Sequence, residues 1–319
     1  MNKVLLILLL ISTQSVLTMH AADSVAVKSS PGPVLGGHLF QPLTGVPGPF
    51  IRTVSQVSVG GGTTLNLALP PIVIGDRFVI APQGSLAIVS MVAAHEQKIK
   101  NWLSVYAAFK LVGRLGTNVT SLFYQGVNTA TTFNLGWKVK VIETERFLGT
   151  LSLDLTNGNV AVIDVNQWVR GIIDSQAVIS QNPLIQTKPA LFTGLTARSA
   201  YAINETFGAT AFIEAIYGEA IVRGGSAGVF FNAGFSLNSD LRLVTDVPLA
   251  LTAGVVYRQT PSVEDSESSS SLVTGSLRFG YSGTQNFSFG LQFNGQYGDV
   301  GGEKQAFFIG GALDMRFYY

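Results

Sequence analysis

Phe307-Phe308-Ile309-Gly310-Gly311-Ala312-Leu313-Asp314-Met315-Arg316-Phe317-Tyr318-Tyr319 closes the sequence, and its reading decides the fold. Counting back from Tyr319, every second position is apolar or small: Phe317, Met315, Leu313, Gly311, Ile309 and Phe307. Between them lie Tyr318, Arg316, Asp314, Ala312, Gly310 and Phe308. Successive side chains of a strand leave opposite faces, so period two means one apolar face and one polar or small face. Both signs of charge, Asp314 and Arg316, share the polar face.

The same alternation spreads upstream. It covers Phe287–Tyr297, Val273–Tyr281, Leu249–Tyr257 and Val229–Leu237, with apolar or small residues at the odd positions. Leu103–Leu115 and Phe133–Val141 repeat it, with Lys110, Arg114, Lys138 and Lys140 on the even side. Segments 147–156 and 159–165 flank Asn157-Gly158, the dipeptide favoured by two-residue hairpins, so two strands and a turn are expected there. Segments 189–203 and 207–222 are read as strands joined by Asn204-Glu205-Thr206, and 85–94 as a weaker one. The expectation is an all-β chain of about twelve strands, within a range of roughly 10–14. An even number returns both ends of a barrel to the same side.

Composition narrows the setting. Charged residues are 12% of 319, about half the ~25% of an ordinary soluble domain. Yet the longest apolar run, Val4–Ile11, is eight residues, far short of the roughly 20 that a spanning helix needs. That leaves an apolar secreted all-β protein, such as a sandwich, or a transmembrane barrel. Strand length favours the barrel, because most candidates run 9 to 16 residues where soluble strands average about 5–6. Aromatic placement agrees: 19 of the 32 aromatics lie in residues 201–319, many near strand ends, among them Tyr201, Phe207, Tyr257, Tyr281, Phe287 and Tyr297. Such rings form girdles at the headgroup level.

A chain ending on an aromatic residue after such a strand resembles the terminal strand of Gram-negative outer-membrane β-barrel proteins. The resemblance implies an antiparallel transmembrane barrel in contact with outer-membrane lipid. It also implies that Leu313, Met315, Phe317 and Tyr319 form the signal read by the barrel-assembly machinery. Gly311 departs from the pattern, being small where a bulky residue is usual. In its loose architecture the chain further resembles transporter-like barrels linked to uptake of small aromatic or hydrophobic compounds.

The beginning of the sequence has the layout of a secretory signal peptide over 1–22: basic Lys3, apolar Val4–Ile11, then small Ala21 and Ala22. Residues 23–80 are rich in Pro and Gly, including Pro31-Gly32-Pro33, Pro47-Gly48-Pro49, Gly60-Gly61-Gly62 and Pro70-Pro71. They are expected to stay out of the barrel wall as a plug or periplasmic extension, with a disordered tail as the alternative, which places the barrel at 81–319. Trp168, Ile172 and Ile179 share a helical face within Asn166–Ser180, so a short helix is expected inside a long loop. The acidic, Ser-rich run 263–271 reads as a solvated loop.

With odd positions facing lipid, the even ones line the lumen. The lumen-lining candidates are Lys110, Arg114, Lys138, Lys140, Arg198, Glu214, Arg258, Arg278, Asp314 and Arg316, together with Asp154. Cations outnumber acids in this set, which suggests mild anion preference; the opposing reading is that inward charges pair and fill the tube. No catalytic group, metal ligand set or cofactor is expected. His38 and His95 are the histidines beyond the leader, and His95 reads as a solvated turn residue without the His-x-Ser arrangement of barrel phospholipases. A chain of 20 Lys+Arg and 19 Asp+Glu offers no basic surface for nucleic acid, and it has no Cys. The reading is a non-enzymatic outer-membrane channel or transporter for small solutes. The alternative is a closed structural or surface-interaction barrel.

Overall fold

A computed structural model describes residues 32–65, 67–68, 72–74, 77–80, 83–116, 127–163, 185–218, 228–260, 270–300 and 303–319. Twelve strands form one closed barrel: β1 Val54–Leu65, β2 Leu86–Lys100, β3 Leu103–Gly116, β4 Val127–Glu143, β5 Phe147–Ile163, β6 Ile185–Ala202, β7 Phe207–Gly218, β8 Gly228–Asp240, β9 Leu249–Thr260, β10 Ser270–Tyr281, β11 Phe287–Val300 and β12 Glu303–Tyr318. Each pairs antiparallel with its sequence neighbours, and β12 pairs with β1 to close the ring, Phe317 opposite Ser55 and Leu313 opposite Val59. Closure removes the free edges that lipid would leave unsatisfied.

The odd-numbered residues face outward. Val59, Val89, Leu153, Leu195, Ile213, Phe231, Leu237, Phe293 and Leu313 are exposed, while Ser58, Ser152, Thr196, Asn232, Ser236, Thr252 and Gln292 are buried inside. A water-facing barrel of this polarity would be inverted, so the apolar outer band is a lipid surface. Exposed Tyr201, Phe207, Tyr281, Phe317 and Tyr319 ring one end of it, and Tyr217, Tyr257, Tyr297 and Phe307 the other. Ten residues separate Phe207 from Tyr217 on β7, about 25 Å for a tilted strand, the height of a membrane band.

Short connections gather at the end where β1 starts and β12 finishes: 101–102, 144–146, 203–206, 241–248 and 282–286. In outer-membrane barrels this is the periplasmic side. One helical turn, Arg242–Thr245, lies in the β8–β9 connection. The helix expected over 166–180 and most of the acidic run 263–271 lie outside the described residues, as does the 1–22 leader.

The structure corrects three expectations. Asn157-Gly158 makes no hairpin; it sits inside β5, with Asn157 opposite Phe133 of β4 and Leu191 of β6. A strand with a partner on both sides outweighs the turn preference of two residues. Second, the barrel begins at Val54, because Gly60-Gly61-Gly62 runs as strand in β1 beside Ala312, Gly311 and Gly310 of β12. A β-carbon on Gly62 would lie 2.2 Å from the Ile309 carbonyl oxygen, so the close strand approach demands glycine here. Third, His95 lies within β2 rather than in a turn.

Residues 33–53 enter the barrel from the short-turn end. Gly36 and Gly37, at φ 54° and 80°, make the tight turn between Val34–Leu35 and His38–Leu39. From there Leu39, Phe40, Gln41, Leu43 and Val46 run buried through the lumen. The chain then returns to Thr53, whose carbonyl accepts from the Tyr319 N–H at 3.0 Å.

Candidate functional site

The site is the lumen and the segment inside it. Arg278 of β10 is fully buried and donates Nε to Asp314 Oδ1 at 2.7 Å and Nη2 to Asp314 Oδ2 at 3.2 Å, a forked carboxylate pair. Its Nη1 donates to Gln41 Oε1 at 2.9 Å, and Ser288 Oγ donates to the same oxygen at 2.7 Å. Gln41 Nε2 reaches the Tyr281 carbonyl at 3.2 Å, and the Gln41 backbone N–H donates to Asn238 Oδ1 at 3.0 Å. Deeper in, the Thr44 N–H donates to Gln292 Oε1 at 2.8 Å. The inserted segment is therefore seated on wall side chains through its own amide and backbone groups.

A second anchor lies where the segment leaves the lumen. Lys138 of β4 donates to both oxygens of Glu96, at 3.0 and 2.8 Å, and to the Phe50 carbonyl at 2.9 Å. Arg52 stacks over the Phe50 ring with its guanidinium carbon 5.3 Å from the centroid. Burial pulls the Arg52 guanidinium down to about 10, which leaves it charged at neutral pH. His38 is fully buried, edge-on to Phe40, and its Nδ1–H donates to the Glu205 carbonyl at 3.0 Å. Burial holds its pKa below the ordinary 6.5, outweighing the opposite pull of that carbonyl and of Asp240.

The remaining sequence candidates fall as follows. Arg198 Nη2 donates to the Tyr106 hydroxyl at 3.0 Å and stands 3.6 Å from Asp154, to which Tyr106 also donates. Glu214 accepts from Asn232 Nδ2 at 2.7 Å and Thr196 Oγ1 at 3.3 Å. Arg316 lies 3.3 Å from Asp314. Lys140 is at the short-turn rim, paired with exposed Glu143 across a register shift, and so is separate from the inner cluster. Lys110, Arg114 and Arg258 make no ion pair with any described residue. Leu313, Met315, Phe317 and Tyr319 are exposed on the lipid face.

Sequence reasoning missed Gln41, Glu96, Tyr106 and Gln292. The last three sit at even positions of strands, so the parity that selected the charges would have found them. Gln41 carries no such signal. His95, on the outer face, has its Nδ1 3.0 Å from Ser55 Oγ, and no described residue makes a further hydrogen bond to the ring.

Between the segment and the wall is a cavity of about 390 Å³. Phe40, Leu43, Val46, Phe50, Phe212 and Tyr318 supply its apolar lining, with Arg52, Lys138, Arg198, Arg258, Arg316, Glu96 and Glu214 as the charges. Cations exceed carboxylates along this surface.

No protein-family model and no curated protein matches the sequence. Solved structures do match. The COG4313 outer membrane channel from Pseudomonas putida F1 aligns over 88% of this chain and 100% of its own, at 12% identity and a TM-score of 0.56. The β domain of the Bordetella autotransporter BrkA aligns over 84% and 100% at 8% identity and 0.48. A Pseudomonas aeruginosa FadL homologue aligns over 91% and 96% at 12% identity and 0.44. The first shares the fold of this chain, that of an outer-membrane β-barrel.

Proposed function

We propose that this chain is an outer-membrane channel or transporter for small solutes, closed at rest by its own residues 33–53. One observation carries the reading: the lumen is filled by an inserted length of chain rather than by the side chains of the wall. Barrels of about eight strands fill themselves, whereas a ring of twelve leaves space. A lumen that admits folded polypeptide is wide enough for a small solute once that polypeptide shifts. The segment makes no ladder with the wall and is held by side-chain hydrogen bonds, which exchange more readily than a strand. The excess of cations favours anions. The matched channel of Pseudomonas putida supports the reading through its shared fold.

The reading includes export through the 1–22 leader, assembly guided by Leu313, Met315, Phe317 and Tyr319, and action without catalysis. The closed structural barrel is favoured by the buried Arg278–Asp314–Gln41 network, which suits a permanent stopper. Planar-bilayer recording of the detergent-extracted protein separates the two, with heat-modifiable gel migration as the folding control. Discrete conductance steps, with a reversal potential in a salt gradient that marks anion preference, are expected. Silence from a heat-modifiable intact chain, giving way to steps only when residues 33–50 are deleted, would favour the stopper. His95→Ala is expected to leave the conductance and the surrounding lipid unchanged.

A further inference from the structure

The cations inside the barrel divide into two groups. Near the short-turn end each has a carboxylate: Lys138 has Glu96 at 2.8 Å, Arg278 has Asp314 at 2.7 Å, and Arg198 has Asp154 at 3.6 Å. Such pairs belong to the wall. Arg258 of β9, and Lys110 and Arg114 of β3, have no described carboxylate in contact; of β3's two, Lys110 is the nearer in register to the middle of its strand. The strands of Arg258 and Lys110 stand six apart in a ring of twelve, so the two side chains start from opposite walls, and of the two it is Arg258 that lines the cavity beside the inserted segment. Glu214 stands in the same register row as Arg258 with Asn232 between them, and its oxygens are taken by Asn232 and Thr196.

The surroundings of Arg258 are built. Gly45, at φ 100°, turns the tip of the inserted segment against it, so that a β-carbon there would lie 3.3 Å from Nη2. Leu43 and Val46 of the tip join Phe212 and Val256 of the wall in a buried apolar cluster beside it. Arg258, Leu43, Val46 and Phe212 all line the 390 Å³ cavity. A guanidinium presents forked N–H donors that match a carboxylate, and no described residue accepts from them.

We propose that Arg258, set beside the apolar tip of residues 43–46, binds a small monocarboxylate with an apolar body. The carboxylate takes the guanidinium fork, while the apolar body lies on Leu43, Val46 and Phe212. The site deepens the channel reading by naming its solute class, and it rests on that reading only for its meaning in transport.

The test needs no conduction. Equilibrium dialysis of benzoate against the folded full chain in non-ionic detergent at low salt should show saturable binding at one site. Arg258→Gln should weaken it at least about tenfold, the loss expected for a hydrogen-bonded charge pair. Benzyl alcohol, which keeps the ring and lacks the charge, should bind at least about tenfold more weakly than benzoate. Arg242→Gln, at the rim, should bind as the unaltered chain does. Unsaturable binding, an unchanged Arg258→Gln, or equal affinity for the alcohol would overturn the site. If Arg258→Gln loses heat-modifiable migration, Arg258→Lys takes its place, keeping the charge while losing the fork, and unaltered benzoate affinity there would overturn it equally. Conductance on the same preparation keeps the two readings apart. Benzoate binding in a silent barrel would remove the channel and leave the site; a conducting barrel without benzoate binding would do the reverse.

Discussion

Replacing Gln41 with alanine should loosen the inserted segment while leaving the wall intact. Gln41 is 2% exposed, and its side chain makes three hydrogen bonds: from Arg278 Nη1 at 2.9 Å, from Ser288 Oγ at 2.7 Å and to the Tyr281 carbonyl at 3.2 Å. The bond from a charged donor is worth ~1.5–3 kcal/mol and the two neutral ones ~0.5–1.5 kcal/mol each. The vacated space is polar and able to hold water, which recovers part of that sum. Arg278 keeps its forked contact to Asp314, so the wall gains no unpaired charge. The backbone bonds to Asn238 and Thr252 and the Thr44–Gln292 bond also survive, so seating is weakened rather than abolished. A net loss of about 2–3 kcal/mol raises the withdrawn-to-seated ratio about 30- to 150-fold. Two readouts should report it: open probability in planar bilayers, and amide hydrogen exchange across residues 33–50. Exchange and open probability both within about threefold of the unaltered chain, a shift under 0.7 kcal/mol, would refute the reasoning. Exchange decides alone if the barrel is silent.

Other perturbations follow from the same geometry. His38 is held neutral by burial, whereas a withdrawn ring takes up a proton near its ordinary 6.5. Seating is therefore full above that value and weakens as pH falls below it; the protection of residues 33–50 against exchange, taken relative to the free-amide rate at each pH, should fall from pH 7.5 to pH 5.5, and His38→Phe should remove that fall. Lys138→Ala strands Glu96 in the wall and frees the Phe50 carbonyl, and should lower stability by about 3–5 kcal/mol in a heat-modifiability melt. Lys140→Gln, which breaks only the rim pair with Glu143, should change stability by less than about 1 kcal/mol. Gly62→Val places side-chain atoms against the Ile309 carbonyl and the Phe308 ring, so the yield of heat-modifiable barrel should collapse while that of Gly113→Ala, which meets open space, is retained.

Alternation made the wall legible, because lipid outside and water or polar chain inside give the two faces of every strand opposite chemistry. That parity holds from Ser58 to Arg316. The expected twelve strands arose partly from two offsetting errors. Splitting 147–165 at Asn157-Gly158 added a strand, and reading Gly60-Gly61-Gly62 as a break removed one. Both have the same physical origin: local preference speaks for a residue alone, while pairing on both edges decides a barrel strand. The glycines of β1 have no side chains to alternate, and their reason for being glycine lies 250 positions away in Gly310 and Gly311. The inserted segment was legible only as Pro/Gly-rich sequence, with a plug, an extension and a disordered tail all open. Its seating depends on Gln41 and Thr44 meeting Arg278, Ser288 and Gln292, pairs that no spacing in the sequence announces.

The pairing of β12 with β1 also bears on the order of assembly. Joining residues as distant as Gly61 and Gly311 is the least local event in the chain, since every other seam of the barrel links sequence neighbours. Loop-closure entropy places such a contact late. Residues 33–53 continue directly into β1, so their enclosure is completed by the same event that seals the wall. A nascent barrel thus holds its inserted segment at its last open seam, and the final zippering step encloses the lumen and fills it together.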